Sequence, residues 1–173
     1  MDQIQRYLPS GEKGLLPYYL FIVSTVAMGN AVQNFVTLHY TRRIYDGQFV
    51  PSSKLPPKTA TYNPEDSVHK LAPVSPNSKD AEKAKDQVTP LAARLFATYT
   101  FIAGLIRLYA CYRLDDPAMY QMSMATHLIA GLHFASEILV YKTIKWSGPE
   151  IFPLVLGFGG FLWMCLQYNH YLA

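Results

Sequence analysis

Two long stretches of this chain are free of formal charge. From Gly14 to Thr41, and again from Ile151 to Ala173, no Asp, Glu, Lys or Arg occurs. About 20 helical residues at 1.5 Å each cross the hydrocarbon core of a bilayer, so both stretches are long enough to span one. A soluble domain of 173 residues seldom accommodates two such runs, and an ordinary water-soluble fold is excluded. The mean hydropathy of +0.06 hides this, because a polar middle offsets the apolar ends.

Two further apolar stretches complete an expected all-α membrane protein, with four transmembrane helices in an antiparallel bundle and one long polar loop between helices 1 and 2. The spans are expected at about 15–38, 91–112, 118–141 and 151–171, forming one domain over the chain. Tyr and Trp residues flank them, as amphipathic rings do at headgroup level. A cleaved leader is not expected: beyond Ala27 and Gly29 the apolar residues continue through Val32, Phe35, Val36 and Leu38. The loop, about 46–88, holds six of the 12 prolines and is expected to be extended, with a short helix near Lys79–Asp86. Asp115-Asp116-Pro117 predicts a tight turn that makes spans two and three a hairpin.

Eleven basic residues fall on the side of the long loop and the loop at 142–150: Arg42, Arg43, Lys54, Lys58, Lys70, Lys79, Lys83, Lys85, Arg94, Lys142 and Lys145. Arg6, Lys13 and Arg113 fall on the other, with Arg107 inside a span. The positive-inside bias then places the long loop in the cytosol and both termini across the membrane. The basic residues form no stripe, so nucleic acid is not an expected partner.

Polar groups inside the spans are costly unless partnered, and therefore informative. Asn30, Gln33, Asn34 and Thr37 share one helical face, expected to point into the bundle as helix–helix glue, with an ion or ligand site as the alternative. In the third span Thr126, Ala130, His133 and Glu137 share a face. Arg94 and Glu137 lie at equal distances from the Asp115-Asp116 turn, which predicts a structural ion pair between them. Arg107, nearer the opposite surface, is expected to snorkel outward or to accept the polar groups of the first span.

Catalytic, cofactor and metal sites are not expected. Five scattered histidines supply neither a di-iron cluster nor a facing haem pair. Gly157-x-Gly159-Gly160 lies in an apolar helix with no preceding strand, so it reads as a packing surface and not as a nucleotide fingerprint. Ser136 beside Glu137 on a continuous helix lacks nucleophile geometry. Cys111 and Cys165 form no Cys-x-x-Cys motif.

Several stretches resemble the ergosterol biosynthetic protein 28 family. They are Thr41-Arg42-Arg43-Ile44-Tyr45, Val88-Thr89-Pro90-Leu91-Ala92-Ala93-Arg94, Ile106-Arg107-Leu108-Tyr109-Ala110, Tyr120-Gln121, His133-Phe134-Ala135-Ser136-Glu137 and Trp163-Met164-Cys165-Leu166-Gln167-Tyr168. The long Pro-rich loop departs from the shorter one expected of the family. The resemblance implies a non-catalytic scaffold of the endoplasmic reticulum membrane. It would tether the sterol C-4 methyl oxidase, the sterol 3β-dehydrogenase/decarboxylase and the 3-keto sterol reductase, with Arg42 and Arg43 near the docking region. Two rival readings stand beside it. One is a sterol- or lipid-binding module with a cavity lined by Asn30, Asn34, Arg107 and His133. The other is an enzyme, resembling membrane sterol isomerases, that depends on Glu137. Self-association is compatible with each.

Overall fold

The computed structural model describes residues 7–75, 77–146 and 151–172. Arg6, Pro76 and residues 147–150 of the loop before the last span lie outside them. The chain begins with α1 (Leu16–Val36), breaks at Thr37 and continues as the short α2 (His39–Ile44). The break is local chemistry. Thr37 is extended, and its hydroxyl accepts from the His39 amide at 3.2 Å, drawing the backbone out of the helical path.

The polar segment that follows is more ordered than its composition implies. Strands β1 (Phe49–Pro51) and β2 (Leu71–Pro73) pair antiparallel, with Phe49 opposite Pro73 and Pro51 opposite Leu71. Each strand ends in proline, where a missing amide hydrogen interrupts no further ladder bond. Phe49 also bridges to Lys85, and the expected helix near Lys79–Asp86 is a single 3₁₀ turn at Ala81–Lys83. The side chain of Phe49, at 4% exposure, anchors this segment, and Val88 is buried at its end.

Helices α3 (Pro90–Ala110), α4 (Pro117–Ser136) and α5 (Phe152–Leu172) complete the chain. The first two start as their sequences dictate. Thr89 accepts from the Ala92 amide at 3.1 Å, and Asp116 from the amides of Ala118 and Met119 at 2.8 and 3.3 Å, each ahead of a proline in the first turn. Helix α1 packs along α3, α4 along α5, and α3 joins α4 through the turn at Asp116. Glycines set the closest approaches. A Cβ on Gly157 of α5 would lie 2.6 Å from the Gly131 amide nitrogen of α4, and one on Gly104 of α3 would lie 3.3 Å from the Ser24 carbonyl oxygen of α1. Of the expected packing run, Gly157 and Gly160 are buried, whereas Gly159 faces open space.

Among the described residues three helices are long and apolar enough to cross a bilayer: α1, α3, and α4 with its continuation to Tyr141. Their polarity is inverted. Ser24, Asn34, Arg107, Ser123, Thr126 and His127 are buried, while Ile22, Val26, Leu95, Ile102, Ile129 and Leu132 are exposed. Water would penalise such a surface; lipid does not.

Candidate functional site

The end of α4 departs from the continuous helix expected. Over Glu137–Tyr141 the hydrogen-bond ladder widens to a π turn, and Lys142 closes it in the left-handed region at φ 59°. The Glu137 carbonyl accepts from Lys142 and, at 3.0 Å, from the Thr143 amide. This reversal carries the Thr143 hydroxyl back onto the Glu137 carboxylate, to which it donates. Gly47, after α2, donates its amide to the Thr143 carbonyl at 2.8 Å. Asp46 accepts from the Lys145 amide at 2.9 Å and pairs with its ammonium at 3.2 Å. The two connections thus close over one end of α4.

Tyr45 projects from this closure toward α4, and its hydroxyl lies 2.6 Å from His133 Nε2. His133 Nδ1 is 4.0 Å from Glu137 Oε1, one helical turn away, which is an electrostatic contact and not a hydrogen bond. With the proton on Nδ1 facing Glu137, Nε2 is the acceptor and Tyr45 donates to it. Burial, reinforced by the Glu137 charge, pushes the Tyr45 phenol well above its usual range, so it stays a neutral O–H. Thr143, Glu137, His133 and Tyr45 form one polar line. Beside it Tyr99 of α3 brings its ring centroid to 6.3 Å from that of His133, with a buried hydroxyl that has no hydrogen-bond partner among the described residues.

These groups line a cavity of about 470 Å³, whose remaining wall includes Phe49, Val88, Leu95, Phe96 and Ile129. Of the residues singled out from sequence, it unites His133 and Glu137. Tyr45, Tyr99 and Thr143 were missed. Tyr45 and Tyr99 belong to an abundant residue type, 13 tyrosines in all, and no periodicity sets these two apart.

The expected Arg94–Glu137 ion pair does not form. Ala93 and Ala97 are the residues that α3 buries, so Arg94, about 100° round the helix from Ala93, is exposed and makes no ion pair among the described residues. The π turn meanwhile directs Glu137 to Thr143. Arg107 neither snorkels nor serves the first span: it is 7% exposed and donates to the Thr126 hydroxyl and carbonyl at 3.0 and 2.9 Å. The polar face of α1 is only partly inward. Asn34 is buried and accepts from the Thr41 hydroxyl at 2.9 Å, bracing α2 on α1, Asn30 is half-buried, and Gln33 is exposed. Asn30, Asn34 and Arg107 are not among the described residues that line the cavity at His133. Arg42 pairs with Asp86 at 3.0 Å, tying the two ends of the polar segment together, and Arg43 is exposed.

The arrangement defines an α-helical membrane protein with a polar-ended cavity beneath its longest connection. The chain belongs to the Erg28 family, whose model, described as Erg28 like protein, matches residues 16–162. Ergosterol biosynthetic protein 28 of Gibberella zeae is 42% identical over 172 residues, covering 99% of this chain and 98% of that one. Its namesake from Candida albicans is 30% identical over 99% of both chains. The human Ergosterol biosynthetic protein 28 homolog is 26% identical over 82% of this chain and 76% of its own. The end-to-end match to the Gibberella zeae protein means that the Pro-rich segment is not an insertion relative to that relative. No solved structure matches the chain.

Proposed function

We propose that this protein acts in ergosterol biosynthesis as a non-catalytic scaffold of the endoplasmic reticulum membrane. It holds together the C-4 methyl oxidase, the 3β-dehydrogenase/decarboxylase and the 3-keto reductase of sterol C-4 demethylation. The observation that carries the reading is the near-complete match to proteins named for ergosterol biosynthesis and for no reaction. In this reading α5 crosses the membrane as a fourth span, since its 21 residues carry no Asp, Glu, Lys or Arg. The basic excess around the polar segment supports an orientation with that segment in the cytosol and both termini in the lumen.

The physical advantage of a scaffold is effective concentration. An intermediate that dissolves poorly in water reaches the next active site over a short distance when the enzymes are tethered. Exposed apolar faces on α1, α3 and α4 supply contact area for partner helices as well as for lipid. Two measurements test the proposal. Tagged protein purified in mild detergent is expected to retain the three enzymes, and a deletion strain to accumulate 4-methyl or carboxylated sterols. Recovery of none of the enzymes, with a normal sterol profile, refutes it.

A further inference from the structure

The cavity around His133 has the size of sites that enclose a single small organic ligand, and its wall is of two kinds. Leu95, Phe96 and Ile129 form an apolar side. Leu95 and Ile129 are also 62% and 53% exposed on the outer surface of α3 and α4, so the wall is continuous with the face turned to lipid. A membrane-dissolved molecule therefore reaches the cavity sideways. The opposite side is the polar line from Thr143 to Tyr45, in which Thr143 is hydrogen-bonded to Glu137 and Tyr45 to His133. Tyr99 stands between the two, and among the described residues its hydroxyl is the one lining hydroxyl that is buried and unpaired. Such a donor is destabilising as it stands, and a ligand oxygen within reach relieves it.

We infer that this cavity binds a sterol by its oxygen-bearing end, with the Tyr99 hydroxyl donating to that oxygen and the ring system lying against Leu95, Phe96 and Ile129. The choice of a sterol rests on the family reading. The demand for a rigid apolar body with one small uncharged polar end rests on the cavity. A phospholipid meets that demand poorly. Its phosphate would face the Glu137 carboxylate, and no Lys or Arg lines the cavity among the described residues. The protein then holds a pathway intermediate in addition to its enzymes, and the two properties belong to different surfaces, one a cavity and the other the outward helix faces.

Photocrosslinking tests this on the full-length protein in phosphatidylcholine nanodiscs, with a diazirine-bearing sterol that keeps its free 3-hydroxyl. Saturable labelling is expected on peptides containing Leu95–Tyr99 and Ile129–His133, displaced by excess unlabelled sterol. Tyr99→Phe removes only the hydroxyl and should weaken the interaction roughly fivefold to tenfold, while the ligand-free variant unfolds no earlier than wild type. Ala92→Trp, which enters the cavity from an exposed position on α3, should abolish labelling while the three enzymes still co-purify. Non-saturable labelling, labelling confined to other helices, equal labelling by a photoreactive phosphatidylcholine, or a Tyr99→Phe variant that binds like wild type would each overturn the inference. Absent labelling with retained enzymes leaves the tether standing and removes the sterol site; specific labelling without enzymes does the reverse.

Discussion

The two ends of the helix assembly are built differently. Where α1 begins and α5 finishes, large side chains close the interior: Leu16, Leu20, Tyr120, Met164 and Tyr171 are each no more than 1% exposed. Tyr120 donates to the Met164 carbonyl at 2.7 Å, joining α4 to α5. At the other end a smaller cluster, Phe134, Ile138 and Ile144, packs behind Tyr45 and Phe96, which line the cavity of about 470 Å³. The difference separates two tasks. In lipid there is little hydrophobic gain from bringing helices together, so close packing has to hold them. The filled end does this, and the other end is left free to keep polar groups around an open space.

The largest effect should come from emptying the filled end. Tyr120→Ala removes a fully buried ring and a hydrogen bond, and is expected to cost about 2–4 kcal/mol. Leu95→Ala on the cavity wall, already mostly exposed, should cost less than about 0.5 kcal/mol. Reversible unfolding in detergent measures both. Equal losses at the two sites would remove the distinction between the ends.

Next in size is the helix contact between those ends. Gly157→Val forces side-chain atoms into the Gly131 backbone, where even a Cβ would stand 2.7 Å from its Cα. Helices α4 and α5 must part, at an expected cost of about 1–3 kcal/mol. Gly159→Val is the control, since a Cβ there meets nothing within 4 Å, and its unfolding should match wild type.

These elements differ in how far the sequence discloses them. Uncharged length announces α1, and proline with Thr89 or Asp116 marks where α3 and α4 start, because those signals are local. Gly157 is legible as a packing residue for the same reason. His133 and Glu137 stand out as polar groups in an apolar helix, yet their partners do not. Equal spacing from the turn at Asp116 places Arg94 and Glu137 at similar depth but says nothing about rotation, and Ala93 and Ala97 decide the rotation. The partner of Glu137 is instead Thr143, brought back by a π turn that no periodicity encodes. Tyr45 reaches His133 across 88 positions, a contact that exists only after α2 has folded onto α1.

Arg107 gives a smaller and sharper test, because its guanidinium is buried in contact with two neutral acceptors of Thr126. A buried charge without a counter-ion contributes little net stability, and an apolar side chain of similar length replaces it at low cost. Arg107→Met is expected to unfold within about 1 kcal/mol of wild type. Arg107→Lys keeps the charge but loses the planar fork that reaches both acceptors, and should be the less stable variant by about 1 kcal/mol. The reverse order would mean that the charge itself is needed at this depth.

The smallest effect belongs to the Arg42–Asp86 pair, and it bears on the lid of the open end. The two side chains are 53% and 26% exposed, so solvent screens their attraction and the pair contributes at most about 0.5 kcal/mol. Arg42→Ala should therefore leave global unfolding unchanged. Its consequence is local: Asp86 also accepts from the Val88 amide at 3.1 Å, directly before α3, so the pair fastens the end of the polar segment to α2. Limited proteolysis is expected to cut the segment between β2 and α3 several-fold faster in Arg42→Ala, and faster in wild type as salt is raised. A cutting rate indifferent to both would show that the β1–β2 pairing and the buried Phe49 hold this segment in place without the ion pair.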